Sequence, residues 1–215
     1  MAISLPNGAT VFICSGYGTS IPVTIVTNGA PPICTATAHG LANGDIVEVT
    51  SGWSRINNKI ARVTSSTANT FGLENLDSTL TNIYPAGSGV GSVRKITGWN
   101  QLQQIINTQT SGGAQQYATY QLLEADAQRQ IPTVKNPYEM SFDVADDPSL
   151  LGFQTASAAN DDRLPRAWRI NMANGGFIYH NAYTFVNRIP SMTVNQIMAC
   201  TVGLNMLAEP VRYAS

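Results

Sequence analysis

The sequence predicts a mainly β protein: a β-sandwich with a flanking short helix and a small inserted β module. Three observations carry that expectation. Short runs alternate apolar and polar residues with a period of two, as half-buried strands do. Gly, Asn and Pro separate these runs at spacings of roughly 8–12 residues, as in small barrels and sandwiches. Helical spacing is confined to two short stretches.

The first strand is expected over Gly8 to Gly16 and the second over Val23 to Thr27, closed by the turn signal Asn28-Gly29. Ile33 to Ala38, Asp45 to Thr50, Lys59 to Thr64, Thr70 to Glu74 and Ser92 to Ile96 continue the series. In Asp45 to Thr50, Ile46 and Glu48 share one face and Val47 and Val49 the other. Beyond Thr97 the spacing of Trp99, Leu102, Ile105 and Ile106 predicts a helix capped by Thr97 and ended by Ser111-Gly112-Gly113. Gln116 to Ala125 reads as a strand, Asp126 to Asn136 as a polar link, and Tyr138 to Val144 as a strand with Tyr138, Met140 and Phe142 on its bulky face. Asp146-Asp147-Pro148 starts a short helix, because an Asp oxygen can accept orphan N–H groups and Pro suits the first helical position. Arg166 to Met172 and Phe177 to Asn187 form a hairpin around Asn174-Gly175-Gly176, with Phe177, Tyr179, Asn181, Tyr183 and Phe185 on one face. The last strand is read as unusually long, Met192 to Met206, and Pro210 limits its extension. The simplest partition places one β unit at residues 1–22 and 96–215 and an inserted module at residues 23–95.

Composition narrows the function. The 215 residues carry 12 Lys and Arg against 13 Asp and Glu, a formal net charge of -1, and only 12% are charged. Soluble globular chains usually carry roughly 25%. Such a balance gives no basic field for gripping nucleic acid. The 43% hydrophobic content argues against disorder and supplies a core. Weak self-repulsion at near-zero net charge favours association. Met1 to Val11 carries no Lys or Arg and no apolar run suited to a secretory signal, and no run of about 18 apolar residues suggests a membrane span. Cys14, Cys34 and Cys200 are far apart and form no CxxC pair, so they read as reduced thiols of a cytoplasmically folded protein.

No catalytic or metal constellation stands out. His39 and His180 are the only imidazoles, without a nucleophile elbow. Asp146-Asp147 and Asp161-Asp162 lie in no calcium-loop pattern. Gly87-Ser88-Gly89-Val90-Gly91 precedes a strand rather than the helix a phosphate cradle needs. Arg163, Arg166, Arg169, Arg188 and Arg212 make no basic stripe. Trp53, Trp99 and Tyr84 would serve a carbohydrate-binding or decoration module of a virion only if exposed, and a core role is the plainer reading.

One resemblance runs through the second half. The stretch Tyr117-Ala118-Thr119-Tyr120-Gln121-Leu122-Leu123-Glu124-Ala125-Asp126, then Gln130-Ile131-Pro132-Thr133 and Val144-Ala145-Asp146-Asp147-Pro148, is similar to the major tail tube proteins of long-tailed bacteriophages with non-contractile tails. Pro165-Arg166-Ala167-Trp168-Arg169, the Asn174-Gly175-Gly176 turn, Tyr179 to Arg188 and the final strand resemble the same group, so that the likeness covers residues 97–213. Ala38-His39-Gly40-Leu41, Asn43-Gly44-Asp45 and Asn69-Thr70-Phe71 resemble a small β module that recurs in phage structural proteins.

The resemblance implies a non-enzymatic virion protein, assembled in the host cytoplasm into the tail. It implies hexameric rings whose inner strands close into one barrel, stacked on a tape-measure protein and ended by tail terminator and distal tail proteins. Double-stranded DNA would cross the lumen without sequence-specific binding, a long loop would reach the next ring, and no metal or cofactor is implied. On that basis Phe177, Tyr179, Tyr183 and Phe185 of one strand, with Met192, Val194, Met198, Val202 and Leu204 of the last, are expected to build the assembling wall.

Overall fold

The computed structural model describes residues 7–214; residues 1–6, part of the segment read for a signal, lie outside the described residues. Fifteen strands and one helix follow in order: β1 (Thr10–Val23), β2 (Ile25–Val26), β3 (Ile33–Thr35), β4 (Ile46–Ser51), β5 (Ile60–Thr64), β6 (Thr70–Leu73), β7 (Gly91–Leu102), β8 (Ile105–Gly112), β9 (Gln115–Tyr120), β10 (Arg129–Lys135), β11 (Tyr138–Ala145), α1 (Leu151–Asp162), β12 (Arg166–Asn171), β13 (Phe177–Val186), β14 (Ala199–Met206) and β15 (Val211–Tyr213). The protein is mainly β, with one short helix, as the alternation predicts.

One curled antiparallel sheet runs β2-β3-β6-β5-β4-β7-β1-β12-β13-β14-β11-β8, with β15 added against β13, while β9 and β10 pair only with each other. The curl brings the β7-β1-β12 region over the β14-β11-β8 region. Phe142 of β11 and Trp168 of β12, both fully buried, stack at 6.2 Å across the gap. Val11, Ile13, Leu102, Val144, Val202 and Leu204 join them, with Phe153, Ala156 and Ala159 of α1 completing this core. Helix α1 lies close on β7: a Cβ at Gly152 would come 2.0 Å from the Gln101 carbonyl oxygen, so this position excludes any side chain.

A second core lies on the other side of β1, β12 and β13. Val47, Trp53, Ile60, Phe71 and Val93 meet Ala167, Tyr179 and Tyr213 there. Polar bonds fasten this layer to the first. Glu48 accepts from Asn181 Nδ2 at 2.7 Å and from Arg94 Nε at 2.8 Å. The Tyr213 hydroxyl accepts the Arg62 N–H at 2.9 Å and donates to the Glu74 carbonyl at 3.2 Å.

Several elements differ from expectation. Residues from Thr97 to Ile106 are not helical: β7 runs to Leu102, the chain turns at Gln104 with φ 59°, and β8 begins at Ile105. The helical spacing arises because the strand has a core on each face, Trp99 packing into one and Leu102 into the other, and because a turn interrupts the count. The link at Asp126 to Asn136 contains β10, whose Pro132 is tolerated because β10 is an edge strand. Helix α1 begins at Leu151, after Leu150 as an N-cap without a side-chain bond, while Asp147 closes a turn ahead of it by accepting from Ser149 N–H at 3.0 Å. The strand read as the last, β14, spans Ala199–Met206 alone, and a short β15 follows it beyond Pro210.

Candidate assembly surface

The four strands β13, β14, β11 and β8 form a continuous wall. Their registers align Phe185 with Gly203 and Ser141 with Gln109, and Tyr183 with Asn205 and Glu139 with Ser111. Alternation sends Val202, Leu204, Phe142 and Val144 inward beneath α1. The outward side therefore carries Tyr183, Phe185, Thr201, Asn205, Glu139, Ser141, Asp143, Asn107, Gln109 and Ser111. Its polar groups bond to each other: Thr201 Oγ1 donates to Asp143 at 3.1 Å, Asn107 Nδ2 to the same carboxylate at 3.3 Å, and Ser111 Oγ to Glu139 at 3.2 Å. The Phe185 ring lies over Gly203, where a Cβ would come 1.9 Å from it, so any side chain at this position would push the ring aside. Across all four strands the formal charges are the Glu139 and Asp143 carboxylates, with no Lys or Arg.

The wall has two open edges. On one side β8 ends the sheet. On the other, β12 pairs β13 only as far as Ala182, so among the described residues Tyr183 to Val186 has β14 on one flank and no strand on the other. Asn160 at the end of α1 takes up one donor of that flank, accepting the Val186 N–H at 3.1 Å. Unpaired strand edges invite pairing with another chain.

The expected wall residues divide. Tyr183 and Phe185 are 45% and 48% exposed on the outward side, and Phe177 is half-buried. Tyr179, Val202 and Leu204 lie in the cores, so their side chains shape the wall from within. Met192, Val194 and Met198 are exposed, but on the loop between β13 and β14 rather than on a strand. Two features escaped the sequence reading: the β8 edge, hidden by the helical spacing, and the β9–β10 hairpin. The hairpin pairs Tyr117 and Ala118 with Pro132 and Ile131, and the run Gln130-Ile131-Pro132-Thr133-Val134 was the sequence signal for its second strand.

The other candidates are structural. His39 Nδ1 accepts the Leu41 N–H at 3.0 Å, and its ring meets Phe71 edge-on at 5.0 Å. His180 is buried with neither ring nitrogen bonded, and burial draws its pKa down to about 4. Among the described residues no group of three or more His, Cys, Asp or Glu side chains is placed to hold a metal ion. The three cysteines are free and buried. Trp53 is buried, donates to the Pro85 carbonyl at 2.8 Å and packs edge-on against Tyr84, so it presents no face to a sugar.

A search of the curated proteins finds no match. Residues 51–215 match the family described as phage tail tube protein, TTP. A mainly β chain with an open-edged wall, matched over that span, belongs to the phage tail tube protein family.

Proposed function

We propose that the chain is the repeating subunit of a non-contractile phage tail tube, forming stacked hexameric rings around a lumen that DNA crosses during ejection. The observation that carries this reading is the wall of β13, β14, β11 and β8: two free edges, a polar outward side and no basic residue. Joining the β8 edge of one copy to the β13 edge of the next satisfies both, and a heterologous contact repeated around an axis closes a ring. The outward side then becomes the lumen. A lining with carboxylates and no Lys or Arg offers DNA no counterion-releasing contact, and ring symmetry repeats that property in every subunit.

The remaining assignments follow from the same arrangement. The layer around Val47, Trp53 and Phe71, read as an inserted module at residues 23–95, packs on the face of β13 that carries Tyr183 and Phe185, but over its first half at Tyr179 and Asn181, so it flanks the wall; we place it at the tube exterior or at the ring interface. The tape-measure protein would occupy the lumen before DNA, terminator and distal tail proteins would cap the ends, and the assembled protein would reside in the virion tail. Negative-stain electron microscopy of concentrated protein should show rings and hollow tubes; a strictly monomeric species, even with tail-initiator proteins added, would contradict the reading. A finer test replaces Ser141 and Asn205 by Lys: tubes should form, while DNA ejection slows and becomes salt-dependent. Unchanged ejection would place this side away from the DNA.

A further inference from the structure

A groove of about 720 Å³ opens into the sandwich core beside the start of β8. Val11 and Phe142 of the buried core line it, with Ile105, Ile106, Met140 and Ile178. Its lining includes no charged residue and nothing from α1, the helix that covers the same core elsewhere. Because β8 ends the sheet, no further strand among the described residues closes this side. Ile106 is 52% exposed as a result. Apolar walls open to water favour an apolar occupant.

The chain itself enters at this groove. Asn7, Gly8 and Ala9 are part of the lining. Asn7 and Gly8 form a turn, with Gly8 at φ 90°, so β1 is not prolonged backwards through Asn7. The six residues ahead of that turn are Met1-Ala2-Ile3-Ser4-Leu5-Pro6, without a charged side chain. A residue before proline favours extended backbone. Extended backbone puts alternate residues, here Met1, Ile3 and Leu5, on one side. Six extended residues span about 20 Å, enough to cross a groove of this volume.

We propose that the segment Met1 to Pro6 docks in this groove of its own chain, setting Ile3 and Leu5 against Ile106, Met140 and Ile178. Tethering and chemistry select this occupant. A segment joined to the rim is present at a roughly millimolar effective concentration, which a free partner must exceed to displace it. It brings no charged side chain into the groove, so none is desolvated without a partner. The docked segment closes the core at the start of the β8 edge. The subunit thus completes this side within itself, and the edge alone is left for another copy.

Two measurements test the docking, and neither depends on rings or tubes. Ile3→Asp with Leu5→Asp should lower the urea midpoint and raise the fluorescence of an anilinonaphthalene dye, which binds exposed apolar surface. Ile3→Ala with Leu5→Ala should shift both readings the same way by less, and serves if the acidic variant does not fold. Wild-type midpoint and dye signal in the alanine variant and in a folded acidic variant overturn the docking. The second measurement joins Ile3→Cys to Ile106→Cys with a short bismaleimide, since the native cysteines are buried. Linkage within the doubly substituted chain is the expected result. Linked dimers from a mixture of the two single variants, with no linkage inside the doubly substituted chain, would assign the groove to a second copy and overturn the proposal. Absence of linkage in both samples overturns it as well.

Discussion

β13 passes through two different environments in ten residues. At Tyr179 and Asn181 the side away from the sandwich core is covered by the outer layer, with Asn181 bonded to buried Glu48. At Tyr183 and Phe185 the same side of the same strand is bare. The residue types barely change, two aromatics in each half, so exposure is decided by what packs on the strand rather than by its sequence. In the first half the protein completes its own surface. In the second, completion is left to neighbouring copies.

The largest expected effect lies in the shared core beneath both halves. Trp168→Ala should remove about 3–5 kcal/mol of stability by leaving a cavity where the indole stacks on Phe142, as denaturant titration would measure. A loss under 1 kcal/mol would mean the two sheet regions do not depend on each other.

His180 gives the next effect, with pH as the variable. Its folded pKa is about 4 against an ordinary 6.5, owing to burial. The unfolded chain therefore takes up a proton as pH falls below 6.5, while the folded chain does not until near 4. Stability should be level above that window and fall as pH drops through it, by about 3 kcal/mol in all. Comparing pH 7 with pH 5 samples this group before carboxylates such as Glu74, held below their usual range by the bond from Arg62, begin to contribute. His180→Leu should flatten the profile; an unchanged profile would assign the acid sensitivity elsewhere.

Glu48→Gln weakens the fastening between the outer layer and β13, because Arg94 and Asn181 lose a charged acceptor. A cost of about 1–3 kcal/mol is expected, with earlier proteolysis of the outer layer than of the wall. Smallest of all, Tyr183→Ser should change monomer stability by no more than about 0.5 kcal/mol, as for an exposed site. A large loss there would show that the bare half is closed within the single chain.

Much of this was legible. β11, β12 and β13 alternate cleanly and pair as the Asn174-Gly175-Gly176 turn requires. The short helix after Pro148 was expected, though its start was displaced by the Asp147–Ser149 turn. What failed did so where a strand serves two cores: Trp99 and Leu102 point to opposite layers, and their spacing imitates a helix. β14 was read as starting at Met192 because Met192, Val194, Gln196 and Met198 alternate, but among the described residues no strand lies alongside them and Asn195 turns the backbone instead. The polar face of β11, with Glu139, Ser141 and Asp143, was legible in its alternation, whereas that of β8 was hidden by the helical spacing. Which strands stand together, and that β8 ends them, depends on long-range pairing that local pattern does not encode.

The charge pattern of the wall has a practical side. The chain's three lysines are Lys59, Lys95 and Lys135, two in the outer layer and one on the hairpin. On the proposed orientation, a lysine-directed dye or cross-linker would react on the flanking layer and the hairpin and leave the four wall strands that line the bore unlabelled. Trypsin would likewise find no cleavage site within the four wall strands. Labelled tubes that still conduct DNA would make the particle a pipe that can be chemically addressed while the strands lining its channel stay unmodified.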